Sequence, residues 1–487
     1  MKGHGMNPTD GLTAFAINER EVTEEYLRVN NIEQTLNEVL NSVLIKRSED
    51  PYSELAKLLD AQSTSQKRLI GIKLIDSFSC EGRSAIMVRL QTCRFSVDVT
   101  ISTSDPWCTA SSTPDGESDL NDTSSTEEMQ QVLEQKLARN DIILTDQTRV
   151  DSILQSIVPI IGNATCLATS LAVLEAGAKI EGTELVHFIA ALAAIPTEKL
   201  RIPIPIINLL ENTAASTLLQ EIFLVPHNVK SIYRALDLSS KMIATLALHL
   251  KEGKVSLSKS GTACHALSFQ DVNLIECLKN LMQSPCTSSD QQRAEECLQI
   301  GSNVFVNSDQ VQTDLGVAKG DQIEKIAEII EALPLSSIIL PFDDMDISAL
   351  SALEDKMRDT KLTQMDPSFT LIARRISPEC IKNLDESSPM PLVLSLGQYT
   401  TVSEFIESVR YAHNVGCSIV METTSSESLL SSEMLIALAV GLEIEYVKFG
   451  GWSQTESMLR YNSLLALANE LFDKDDNMRS LPFLRCS

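Results

Sequence analysis

Six histidines and eleven cysteines are the side chains best suited to holding a transition metal or acting as nucleophiles. The histidines (His4, His187, His227, His249, His265 and His413) never fall at metal-ligand spacing, and no two cysteines form CxxC, so no zinc motif exists. Scattered thiols in odd number read as the reduced, buried or incidental cysteines of a cytosolic protein. Cys264 stands beside His265, but proximity in sequence does not specify a catalytic Cys/His pair. No GxGxxG or GxxxxGK[ST] loop is present to cradle a phosphate. Asp343-Asp344 offers the hard oxygens that Mg²⁺ prefers, yet acids at a helix entry are ordinarily solvated capping charges. Asn121-Asp122-Thr123 and Asn163-Ala164-Thr165 match the glycosylation pattern, which requires a secretion that nothing else in the sequence supports. Trp452, after Gly450-Gly451, reads as packing.

The bulk properties narrow the setting. Of 487 residues, 43% are hydrophobic and 22% charged, an ordinary globular composition with enough apolar material for a sizeable core. Forty basic against 66 acidic side chains give a formal charge of −26, which repels nucleic acid and anionic membrane. Any anion site must be a local exception. The most apolar stretch, Leu185 to Pro196, contains His187 and is too short to span a bilayer, and the N-terminus lacks the apolar core of a signal peptide.

Positioning elements follow from the periodicities. Residues 1–20 are polar and read as a flexible tail. Within 21–62, Leu27, Val29, Ile32, Leu36, Val39, Leu40, Val43 and Leu44 recur at roughly helical spacing, and Pro51 opens a second helix carrying Leu55, Leu58 and Leu59. A pair this small cannot bury its apolar face alone, so it is expected to dimerise or dock. Residues 66–200 begin with three strands joined by short turns, IGIKLIDSF, SAIMVRLQT and RFSVDVTIS, an antiparallel meander. A loop over 109–128, rich in Ser, Thr and Asp, reads as mobile, and helices follow over Glu127–Ala138, Ala164–Ala176 and Thr183–Ala194. From 201 to 487, short apolar runs (PIIN, EIFLV, KVSLS, QIGSNVFVN, SSIILP, FTLIARR, LVLSL, SIVME and YVKFG) alternate with amphipathic helices. That pattern is α/β and has the length of one (β/α) barrel, with a doubly wound open sheet as the alternative.

Several ordered segments carry a family resemblance from about Lys73 to Leu471. Ile75-Asp76-Ser77 after a strand, NATCLATSLAVLEAGAKIEGTELVHFIAAL, IPIPIINLLENTAASTLLQEIFLVP, PFDD, LGQYTTVSE, ALAVGL and VKFGGWSQTESMLRYNSLLALANEL resemble, in order, the segments of enolase. The resemblance implies an α+β N-terminal domain on a barrel whose first hairpin is antiparallel. It also implies phosphopyruvate hydratase chemistry: a base removes the C2 proton of 2-phosphoglycerate, an acid assists loss of the C3 hydroxyl, and Mg²⁺ stabilises the enolate. The helices of 21–62 resemble the dimerisation/docking pair of protein-kinase-A regulatory subunits. The combination is similar to the divergent enolase paralogue of sperm flagella and motile cilia.

Transferred position by position, the resemblance predicts a dismantled active site. Its three Mg²⁺ ligands fall on Asn303, Ile339 and Arg374, with Ile338, Leu340 and Arg375 beside them no better suited. Its base falls on Ser395, its general acid near Ser260, its histidine near Thr423 and the preceding serine on Glu422. The histidine of the first barrel loop has no counterpart in ENTAASTLL. Glu221 and Lys448 alone are retained catalytic positions; each also has a structural reading, as a hydrogen-bonded carboxylate and as an ion-pair partner. Losing a set of groups that act together costs about 10⁶ in rate. The resulting reading is an inactive enolase-fold scaffold without a bound cofactor, cytoplasmic and placed in a cilium or flagellar axoneme. It would work as a homodimer with protein partners, one of them an amphipathic helix held by residues 21–62. Two competing readings are a divergent active enolase of glycolysis, using Mg²⁺ on Asp343, Asp344 and Glu422, and a metal-free anion-binding module built on Arg374, Arg375, Lys448 and Lys259.

Overall fold

The computed structural model describes residues 22–62, 68–79, 82–103, 125–138, 142–211, 219–227, 229–251, 297–304, 337–340, 371–382, 384, 391–424, 426–451 and 455–471. The expected tail over 1–20, the KVSLS strand and most of the 109–128 loop lie outside them. Elements are numbered along the described residues. The chain divides into two compact units, Met1–Arg68 and Leu69–Ser487.

The described residues of the first unit form three helices, α1 (22–29), α2 (Ile32–Lys46) and α3 (Pro51–Gln62). Asp50 accepts the backbone N–H of Ser53 at 3.1 Å and Pro51 fills the first turn, so the second helix starts where the sequence places it. Lys46 reaches Glu54 at 2.5 Å across the turn. Val39 and Val43, one helical turn apart, are buried. Leu36, Leu40 and Leu44, at the same spacing on α2, remain 48%, 46% and 63% exposed.

The second unit opens with β1 (Gly71–Phe78), β2 (Ser84–Gln91) and β3 (Ser96–Ser102), an antiparallel meander in the order expected. Alternation puts Ile72, Leu74, Ile86, Val88, Leu90, Val97, Val99 and Ile101 into the core. The helix expected from Glu127 begins at Thr126, within the last residues of the 109–128 loop. Ser125 caps α4 (Thr126–Leu133) in a reciprocal capping box with Glu128, and a π-helical turn, Glu134–Ala138, continues it.

The helix expected over Ala164–Ala176 is far longer: α5 runs Gln147–Glu181, kinked where Gly162 adopts φ 75°. By length and apolarity α5 alone among the described helices could cross a membrane, but 72% of that apolar window is buried within the fold, as in a core helix. Val150, Leu154, Ile157 and Ile161 line its first half at helical spacing, and α6 (Leu185–Leu192) packs beside its second.

The barrel is closed. The segment holding β4 (Ile204–Pro205) and β5 (Ile207–Glu211) pairs on one side with β12 (Tyr446–Lys448) and on the other with β6 (Leu219–His227). Between them run β7 (Cys297–Val304), β8 (Ser337–Leu340), β9 (Leu371–Arg375), β10 (Leu392–Ser395) and β11 (Ile419–Glu422). β5–β6 and β6–β7 are antiparallel, and every later pair is parallel. At the seam the Tyr461 hydroxyl lies 3.1 Å from the Ile206 carbonyl and 3.0 Å from that of Gly450, whose φ of 101° needs a glycine. Five described helices surround the strands: α7 (Ile232–Lys251), the short α8 (Pro378–Ile381), α9 (Val402–Asn414), α10 (Ser432–Gly441) and α11 (Thr455–Leu471).

A buried polar clasp joins α5 to α9. Asp151 accepts from Ser170 Oγ at 2.6 Å, Gln147 Nε2 at 3.0 Å and the Ser403 N–H at 2.9 Å, while Ser170 Oγ accepts the Val402 N–H at 2.9 Å. Two free N–H groups at the start of α9 are thereby satisfied from α5. Burial holds the Asp151 carboxyl above the usual aspartate range, although these donors pull it down.

Candidate functional site at the barrel mouth

In a (β/α) barrel the strands deliver chemistry at their C-terminal ends. Here register aligns those ends closely. Ser395, Glu422 and Lys448 are the last residues of β10, β11 and β12, and pairing sets Ser395 opposite Glu422 and Glu422 opposite Lys448. On the far side of the seam Glu221 of β6 lies opposite Asn303 of β7, which lies opposite Ile339 of β8. Arg374 of β9 stands opposite Leu340 and Leu392.

Lys448 is 2% exposed and is held by two carboxylates. Its Nζ bonds Glu422 Oε1 at 2.5 Å and also contacts Glu221 Oε2. Asn208 Nδ2 donates to the other oxygen of Glu221 at 3.3 Å, and the buried Asn208 Oδ1 has no hydrogen-bond partner. Residues 227 positions apart thus meet because the barrel closes between β6 and β12. In the structure Glu221 is a hydrogen-bonded carboxylate and Lys448 an ion-paired ammonium. Glu422 completes the trio.

A second network holds Ser395, where the resemblance puts the base. Ser395 Oγ donates to Glu427 Oε1 at 2.6 Å, as does the Gly397 N–H at 2.6 Å. The Thr424 N–H and hydroxyl reach Glu427 Oε2 at 2.7 and 2.5 Å. Glu427 is fully buried. The buried Arg460 supports the turn from behind, donating to the Glu427 carbonyl at 2.9 Å and to Thr423 Oγ1 at 3.0 Å. Ser395 therefore has a neighbouring carboxylate, which the sequence reading did not foresee. That carboxylate accepts from at least four donors, and Ser395 is one of them. β3 packs against this Ser426–Leu429 turn, bringing the N-terminal meander to the mouth.

The family model for the enolase C-terminal TIM barrel matches residues 199–478. The chain belongs to the enolase family. Curated relatives named enolase include one from Sulfurisphaera tokodaii, 24% identical over 318 residues that cover 64% of this chain and 73% of that protein. One from Eimeria tenella is 24% identical over 64% of this chain and 72% of its own length. One from Pelagibacter ubique is 24% identical over 68% and 78%.

For an enolase, the question this mouth raises is whether Mg²⁺ fits. Ile339, where the resemblance puts the second Mg²⁺ ligand, is a fully buried hydrocarbon paired with Asn303 and Ala373. An amide, a hydrocarbon and a guanidinium do not make a Mg²⁺ site. No group of three His, Cys, Asp or Glu side chains converges among the described residues. The carboxylates of Glu221 and Glu422 are engaged by an ammonium. Among the described residues, the groups at these positions do not fit the metal. Ser260, Lys259, Asp343, Asp344, Cys264, His265 and Trp452 lie outside the described residues, and for Arg374 and Arg375 the description is limited to backbone pairing. The basic spot expected from Lys448 is altered, since two carboxylates offset its charge.

Proposed function

We propose that this enolase-family protein does not dehydrate 2-phosphoglycerate and acts instead through assembly with other proteins. The observation that carries the reading is the Lys448–Glu221–Glu422 cluster. The cation retained from the family's substrate contacts is committed to internal carboxylates, beside a hydrocarbon at a metal position. A buried ammonium needs such partners, and one that has them is poorly placed to receive a substrate anion. Ser395 cannot replace the base, because its hydroxyl proton already serves a carboxylate with a full set of donors.

The assembly role rests on the first unit. With Val39 and Val43 its buried apolar residues on α2, and Leu36, Leu40 and Leu44 exposed on the same helix, its described helices present an amphipathic face suited to a second copy or to a partner helix. With the resemblance to the flagellar paralogue, this supports a cytoplasmic scaffold of a cilium or axoneme, homodimeric through residues 21–62.

The test is turnover of 2-phosphoglycerate by the purified full chain with excess Mg²⁺, beside a Lys448→Ala control. The expected result is no product above background from folded protein. Turnover that the control abolishes would overturn the proposal.

A further inference from the structure

We infer that residues 395–403 form a strap coupling α5 to the barrel mouth, so that freeing its α9 end from α5 loosens Ser395 and Gly397 on Glu427.

Buried groups from other elements hold the segment at both ends. At the mouth, Ser395 Oγ and the Gly397 N–H donate to Glu427 at 2.6 Å each. At the far end the Val402 N–H donates to Ser170 Oγ and the Ser403 N–H to Asp151 Oδ2, both at 2.9 Å. Val402 and Ser403 open α9, where N–H groups have no acceptor within the helix. Their acceptors on α5 come from both sides of its kink. Gln147 Nε2 donates to Ser170 Oγ at 3.1 Å across 23 positions of sequence, so the chain doubles back at Gly162. A straight helix would set two such residues about 35 Å apart. The grip on α9 therefore belongs to the folded hairpin and not to one helical turn.

Little slack lies between the two ends. Leu396, Tyr399 and Thr401 are buried. The Tyr399 ring packs edge-on against Phe405 of α9, centroids 5.1 Å apart, and the Tyr399 N–H returns to the Leu396 carbonyl at 3.1 Å. A shift in the first turn of α9 thus reaches Gly397 through close-packed side chains and a hydrogen-bonded turn. The competing arrangement is local. Thr401 Oγ1 accepts the Glu404 N–H at 3.3 Å, and Glu404 takes the N–H and hydroxyl of Thr400 at 3.0 and 2.8 Å. If these bonds alone fixed the start of α9, Asp151 and Glu427 would act independently.

Hydrogen exchange read by mass spectrometry on the full-length protein separates the two. Asp151→Ala removes the acceptor of Ser403 and leaves the mouth residues in place. Exchange over 396–400 is expected to quicken roughly tenfold, while α7 keeps the parent rate. Glu427→Gln should then lower Tm less in the Asp151→Ala background than in the parent, because donors already released cannot be lost twice. Ser170→Ala, which removes the acceptor of Val402, should act as Asp151→Ala does. The inference is overturned if 396–400 keeps the parent rate in these variants, if α7 quickens as much, or if the two Tm losses add. Should Asp151→Ala not fold, Ser170→Ala carries the comparison. Failure of both to fold also overturns it, since a clasp required for folding is part of the core and not a strap. Neither readout uses turnover, so the outcome stands apart from that of the dehydration assay.

Discussion

Glu427 should be the costliest side chain at the mouth to alter by a single atom. Glu427→Gln keeps the volume and replaces one acceptor oxygen with an NH₂ group. Whichever way the amide turns, two of the four donors face it: either Ser395 Oγ and the Gly397 N–H, or the two groups of Thr424. Each buried donor left unsatisfied costs about 1–3 kcal/mol, and Ser395 or Thr424 can rotate its hydroxyl to recover part of this. Relief from burying a charge offsets a further part, leaving about 2–4 kcal/mol. At ~2.1 cal/mol/K per residue over the roughly 400 residues that melt with this turn, that is a fall in Tm of about 2–5 °C. Ser395→Ala removes one donor and leaves both oxygens occupied, so it should cost less, about 1–2 kcal/mol. A double-mutant cycle by thermal and denaturant melts should give a coupling of about 1 kcal/mol or more between the two sites. A Glu427→Gln protein that melts within half a degree of the parent would refute the four-donor arrangement, and with it the claim that Ser395 is held as a structural donor.

Gly441→Ala places a Cβ 2.8 Å from the Val186 carbonyl oxygen and 2.9 Å from Ile189 Cγ2, where α10 and α6 meet. The two helices must separate, and a loss of about 1–3 kcal/mol in denaturant melts is expected, against no loss if they do not pack this closely. The folded state holds the Asp151 proton more tightly than the unfolded chain, chiefly because of burial. Its contribution to stability therefore declines as pH rises from the ordinary aspartate value through the raised folded value, and a plot of Tm against pH for Asp151→Asn should lack that decline. Cys166 is fully buried and burial pushes its thiol up to about 12, whereas Cys93 is exposed. Peptide mapping after brief alkylation at pH 8 should find Cys93 modified and Cys166 intact, and the reverse order would contradict the packing of α5.

Strand identity was legible because alternation and continuous apolar runs report burial directly. β1 to β3 and β10 to β12 stand where the sequence placed them. Closure of the sheet was legible only as a resemblance, since no local pattern states that residues 204–211 pair with both β6 and β12. α5 was misread because Pro159 and Gly162 look like a helix end. In the fold they mark a kink, and the apolar spacing of Val150, Leu154, Ile157 and Ile161 was the signal available for the missing half. At the site, Glu221 and Lys448 could be named, but their meeting through Glu422 depends on register across three strands. Glu427 was missed altogether. It lies in the run TTSSES, which has neither periodicity nor a motif; a lone acid among hydroxyl residues after a barrel strand was the only hint.

The central claim is that internal ion pairs have replaced the metal at the mouth of this barrel. Calorimetric titration of the full chain with MgCl₂, in the presence of 2-phosphoglycerate, addresses it most directly. The account predicts no heat beyond dilution and no rise in Tm. Saturable Mg²⁺ binding that strengthens with 2-phosphoglycerate would contradict it.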